Sequence, residues 1–156
     1  MNSAMIVLDV EASGTNYSQH SIVSIGAVDF TNPDNRFYME CRVWEGAKMM
    51  DGALEVNGFT EAELTDPQKP TEADITKAFL DWTAPMADRT LCGQNVSFDR
   101  DFVRAAADRA DLNYDLAYRT IDTHTLCYMH IIKRGYEPPL DKEHKRTNLN
   151  LNAILN

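Results

Sequence analysis

No stretch of this sequence is apolar for long enough to cross a bilayer, which sets aside a membrane-spanning helix. No basic residue precedes the first apolar segment, and Asp9 and Glu11 cut that segment short, so it does not read as a secretory leader. Cysteine is scarce: Cys41, Cys92 and Cys127 are odd in number, widely spaced and free of any C-x-x-C pattern. A disulfide framework is therefore not expected, and reduced structural thiols in a cytoplasmic compartment are. There is no internal repeat and no low-complexity segment. Nor is there a basic stripe, since 15 Lys and Arg face 24 Asp and Glu for a net charge of −9. A long grip on a nucleic-acid backbone is not expected from such a balance; a short grip on a strand end is compatible with it. The small cluster Lys142-Glu-His-Lys-Arg146 either steers phosphate or is a solvated loop.

What is present suits a globular domain. At 156 residues, 44% hydrophobic and 25% charged, the chain has enough apolar material for one core and too little length for two. The most informative segment is Ala4-Met-Ile-Val-Leu-Asp-Val-Glu-Ala-Ser-Gly-Thr15. Its apolar run reads as a buried strand, and a buried strand is a costly place for two carboxylates. Side chains alternate across a strand, so Asp9 and Glu11 share a face. Their repulsion is relieved if one is protonated or if a hard divalent cation sits between them. The alternative is that both lie past the strand in solvated loop.

Further strands are expected over residues 21–30, 36–44, 89–95 and 118–122, with turns at 14–20 and 31–35. The short links between the first three favour an antiparallel meander. A helix opens at Pro70-Thr71, with Thr71 and Asp74 at capping-box spacing and Ile75, Ala78, Phe79 and Trp82 on one face, and Pro85 ends it. A second helix spans 97–110 with Ser97 as its N-cap, and a third spans 123–134, stopped by Gly135. Residues 137–142, with Pro138-Pro139, read as loop, and Leu149, Leu151 and Ile154 begin a last helix. The sum is an α/β domain with a mixed sheet of about five strands.

Asp99, in Asn95-Val-Ser-Phe-Asp99, falls in the first turn of the second helix, just past a short strand. That position aims a carboxylate at the strand ends where open α/β folds collect ligands. An acid there also complements the helix dipole with no further role.

The order of these segments resembles the DEDD superfamily of 3′–5′ exonucleases, which includes proofreading domains, RNase T and oligoribonuclease. The matching segments are Leu8-Asp-Val-Glu-Ala-Ser-Gly-Thr15, Ile22-Val-Ser-Ile-Gly-Ala-Val28, Val56-Asn-Gly-Phe-Thr60 followed by Glu63-Leu64, Gly93-Gln-Asn-Val-Ser-Phe-Asp99 and Ile121-Asp-Thr-His-Thr-Leu126. The resemblance implies a ribonuclease-H-like fold with helices on both faces of the sheet. It also implies hydrolysis of phosphodiester bonds at single-stranded DNA or RNA 3′ ends with two ions of Mg2+ or Mn2+. Asp9, Glu11 and Asp99 match the metal-ligand and catalytic positions, Glu11 also positioning the attacking water. Gly14 and Thr15 match the backbone that meets the terminal nucleotide, and Asn95 matches a supporting position near the 3′ end. Phe59 matches a residue that wedges the last base, and is otherwise an ordinary core aromatic.

The superfamily's third motif, His-x4-Asp or Tyr-x3-Asp on a final helix, has no counterpart. His20, His124, His130 and His144 are followed five positions on by Ile25, Met129, Gly135 and Leu149. Tyr118 and Asp122 have the right spacing but stand in a strand-to-helix join, where Asp122 reads as an N-cap. The expectation is a single exonuclease-like domain over residues 1–156, lacking the helix with the third motif and weakly active or inactive. The alternative is a degenerate nuclease fold that binds nucleic-acid ends or protein without catalysis.

Overall fold

The structure, a computed structural model, describes residues 5–150. Five strands form one mixed sheet: β1 (Ile6–Ala12), β2 (Ile22–Asp29), β3 (Asn32–Glu40), β4 (Leu91–Gly93) and β5 (Thr120–Asp122), in the order β3-β2-β1-β4-β5. The first three make the expected antiparallel meander, and β4 and β5 add parallel to β1. Helices α1 (Asp51–Asn57), α2 (Glu61–Leu64) and α3 (Glu72–Thr83) lie between β3 and β4, with α4 (Val96–Arg109) after β4 and α5 (Thr123–Lys133) after β5.

The alternation along β1 divides the sheet. Ile6, Leu8, Val10 and Ala12 are buried, whereas Val7 and Asp9 are exposed and Glu11 is half-buried. The buried set packs with Ile22, Ile25, Ile75, Phe79, Phe102 and Val103 in one core under α3 and α4. Across the other face run Val7, Asp9 and Glu11, opposite Val28, Gly26 and Ser24, which in turn oppose Arg36, Tyr38 and Glu40. Tyr38 stands 64% exposed there. Among the described residues, the helical cover of β1–β3 is thus on one face.

Buried Glu72 ties the layers together. Its carboxylate accepts from the Ile22 N–H at 2.8 Å and the Ser21 hydroxyl at 3.0 Å, and it receives a forked contact from Arg109 of α4. A buried charge is tolerable only with that degree of pairing.

Several boundaries differ from expectation. The third strand starts at Asn32 rather than Arg36, because Asp29 accepts from the N–H groups of Thr31 and Asn32 and makes a tighter turn. Pro33 fits inside β3 because β3 is the sheet's edge, where a missing N–H breaks no ladder bond. The N-cap of α4 is Asn95, in the left-handed conformation at φ 54°, and Ser97 lies within the helix. Asparagine enters that region more readily than other non-glycine residues, which permits the sharp reversal out of β4. Residues 137–142 are not all loop: β6 (Leu140–Asp141) pairs with β7 (Arg146–Thr147), and of the Lys142–Arg146 cluster the first four residues form the exposed turn between them while Arg146 opens β7. Leu149 is buried but not helical, and Leu151 and Ile154 lie outside the described residues.

Candidate active site

The site begins where β4 stops. The Ile6 N–H donates to Thr90, so alternation turns the Leu8 and Val10 N–H groups toward the β4 side. Pairing with β4 is confined to Ile6 and Val7, which leaves Val10 without a strand partner there. Asp99 takes its place, its Oδ1 accepting the Val10 N–H at 2.8 Å. The third carboxylate is thus fixed to the backbone residue between Asp9 and Glu11. Gly93 permits the close approach: a Cβ on it would stand 2.7 Å from the Leu8 carbonyl oxygen.

The electrostatics follow from this crowding. Burial pushes the Asp99 carboxyl up to about 7, with the charges of Asp9 and Glu11 adding to the rise and the Val10 N–H opposing it. Burial also raises Glu11, and the charge of Asp9 raises it further. Among the described residues, no Lys, Arg or His forms an ion pair with any of the three. Nor does any group of three or more His, Cys, Asp or Glu stand arranged to hold a metal ion. Oxygen donors in an excess of uncompensated negative charge nevertheless suit a hard divalent cation in type and sign.

Beside Glu11 opens a cleft of about 310 Å³ lined by Val10, Gly14, Thr15, Met50, Val56 and Phe98 among others. Gly14 is required on packing grounds, since a Cβ there would meet the His20 ring at 2.1 Å. The Thr15 hydroxyl lies 3.9 Å from the Met50 sulfur, and Asn57 of α1 donates to the Ala12 carbonyl, which fixes α1 at the end of β1.

Asp9, Glu11 and Asp99 are brought together, and Gly14 and Thr15 line the adjoining cleft. Asn95 lines a separate recess of about 730 Å³ shared with Ser97, Asp122 and His124. Phe59 is not at the cleft: it follows the left-handed Gly58, and its ring lies under the Lys69 ammonium at 5.0 Å. Asp122 caps α5 as expected, accepting from the His124 N–H. Met50 and Val56 escaped the sequence because α1 has no buried residue and so no apolar period to betray it. The left-handed stop at Gly58 is the one local signal of that helix.

The fold is similar to that of Exonuclease I in its apo form, with a TM-score of 0.77 over 99% of this chain and 36% of that one, at 15% identity. It is likewise similar to E. coli Exonuclease I in complex with a dA16 oligonucleotide, at a TM-score of 0.75 and 16% identity over 97% of this chain and 34% of that one. Among curated proteins, Ribonuclease T of Marinobacter nauticus is 27% identical over 135 residues, covering 78% of this chain and 61% of its own length. Ribonuclease T of Cronobacter sakazakii is 28% identical over 141 residues, covering 78% and 60%. The chain thus spans about three fifths of these relatives' length. The family model described as the 3'-5' exoribonuclease Rv2179c-like domain matches residues 4–151. With nearly its whole length matched, the chain belongs to the 3'-5' exoribonuclease Rv2179c-like domain family.

Proposed function

We propose that the protein is a divalent-metal-dependent 3′–5′ exonuclease that removes nucleotides from the 3′ end of single-stranded RNA, in the cytoplasm. The observation that carries this is the hydrogen bond from the Val10 N–H to Asp99, which holds a third carboxylate against the Asp9–Glu11 strand end. RNA is favoured over DNA because the matching family is one of exoribonucleases. Asp9, Glu11 and Asp99 would hold Mg2+ or Mn2+, which when bound would offset their mutual repulsion and lower the pKa of a water toward neutrality. Glu11, at the edge of the cleft, would orient that water. Gly14 and Thr15 would receive the terminal nucleotide against Phe98, Met50 and Val56, and Asn95 would support the turn from which α4 presents Asp99.

Weak turnover by this 156-residue chain is part of the proposal, because no His-x4-Asp supplies a general base and a fourth carboxylate within it. That same observation favours the second reading, a nuclease fold that binds 3′ ends without cleaving them. The two separate on a 5′-labelled single-stranded RNA incubated with Mn2+. A ladder shortening from the 3′ end, absent with Asp9→Ala, supports the exonuclease. Equal digestion by both proteins rejects it, and binding with no digestion at any protein concentration favours the binding module.

A further inference from the structure

The outer face of α4 carries a feature that the hydrolytic site does not use. A recess of about 330 Å³ is lined by Tyr17, Arg100, Asp101, Arg104, Asp108 and Tyr118. Both tyrosines are exposed, Tyr17 by 48% and Tyr118 by 72%. Exposed aromatic rings forgo burial, and rings interleaved with guanidinium groups form the surface on which single-stranded bases stack.

The recess is ordered before any ligand arrives. The Arg100 guanidinium lies 5.0 Å over the Tyr118 ring, donates to the Tyr118 carbonyl and pairs with Asp101. Tyr17 is held from behind, its carbonyl accepting from Arg109, which buried Glu72 fixes in turn. Arg104 is exposed and, among the described residues, has no ion-pair partner, so its charge is free for a phosphate.

The recess is separate from the cleft at Glu11, and packed rings run between the two through buried Phe102. Tyr17 meets Phe102 edge-on at 6.3 Å, Phe102 meets Phe98 at 4.7 Å, and Phe98 lines the cleft. Tyr17 stands two residues beyond Thr15, and Arg104 is five residues, or about 7.5 Å of helix, beyond Asp99.

We propose that this recess is an outer subsite for single-stranded nucleic acid, stacking a base against Tyr17 and Tyr118 and contacting a phosphate through Arg104. It rests on the exonuclease reading for its direction: the occupant is the part of the strand 5′ of the terminus seated at Glu11. Its consequence is a preference for longer strands over dinucleotides.

The test is fluorescence anisotropy in EDTA with a labelled RNA dinucleotide and a labelled dodecanucleotide. Tyr17→Ala and Tyr118→Ala should each weaken the dodecanucleotide by roughly 5- to 100-fold. Both should leave dinucleotide affinity unchanged. Tyr17→Phe should bind the dodecanucleotide like wild type, and Arg104→Ala should flatten the salt dependence by about one phosphate contact. Equal loss for both lengths, no loss in either alanine variant, or wild-type binding that ignores length would each overturn the subsite. Hydrolysis by the same preparations keeps the two readings apart. Wild-type protein that cleaves while the tyrosine variants keep its length preference removes the subsite alone. Protein that cleaves nothing removes the exonuclease reading, and anisotropy still decides the recess.

Discussion

Asp99 is buried near two other acids and is compensated by two backbone N–H groups, that of Val10 and its own. Because its carboxyl is pushed up to about 7, the folded protein retains a proton that the unfolded chain releases in the ordinary carboxylate range. The stability from this residue is therefore complete at acid pH and is lost as pH rises through 7. Asp99→Asn keeps an oxygen for Val10 and abolishes the titration. In EDTA, the variant should gain on wild type as pH goes from 4 to 8, reaching an advantage on the order of 2–4 kcal/mol. Urea melts across that range measure it, and a variant no more stable than wild type at pH 8 would contradict the assignment. Comparing variant with wild type matters, because Asp29, Glu40, Glu63, Asp74 and Asp141 are held below the usual carboxylate range and shift total stability the other way.

At the scale of elements, the join between β1 and β4 governs where Asp99 falls. A methyl group at Gly93 would press the backbone oxygen of Leu8, which has no rotamer by which to yield. Gly93→Ala should cost about 1–3 kcal/mol and reduce hydrolysis further than that loss explains, since it parts α4 from β1. Gly52, in α1 with no atom within 4 Å of a Cβ, is the control: Gly52→Ala should be neutral or stabilising by about 0.5–1 kcal/mol. Denaturant melts on both variants, with initial rates on Gly93→Ala and wild type, check the pair. A Gly93→Ala protein as stable as wild type would show that the close approach is not required.

The elements legible in the sequence are those whose side chains meet the core. A nearly unbroken apolar run marked β1, β-rich composition marked β2, and Thr71 with Asp74 forms the capping box that their spacing suggested. What was not legible depended on backbone partners or on open surface. The start of β3 turned on one Asp29 side chain, and Asn95 rather than Ser97 caps α4. Helix α1 buries nothing, so no pattern announced it. Within the candidate site, Asp9 and Glu11 stood out by residue type and placement and Asp99 by the family resemblance, and the Val10 N–H that holds Asp99 beside them could not be read, because it belongs to the backbone. Phe59 was matched by order along the chain, and its contact with Lys69 had no signal in that order.

At the scale of the whole molecule, a net charge of −9 coexists with a candidate nucleic-acid site. The contradiction eases if the protein grips a strand end locally, with a cation reversing the sign at three acids and arginines such as Arg104 gathered on α4. Among the described residues no helix is long and apolar enough to cross a membrane. The central claim is that Asp9, Glu11 and Asp99 tolerate one another because a divalent cation joins them, and a thermal melt titrated with Mg2+ or Mn2+ tests it most directly. The wild-type melting temperature should climb with metal concentration, by the equivalent of about 2.7 kcal/mol at a hundredfold excess over Kd, and Asp9→Asn should abolish most of the rise. A wild-type melting temperature unmoved by millimolar metal, or an equal rise in Asp9→Asn, would contradict it.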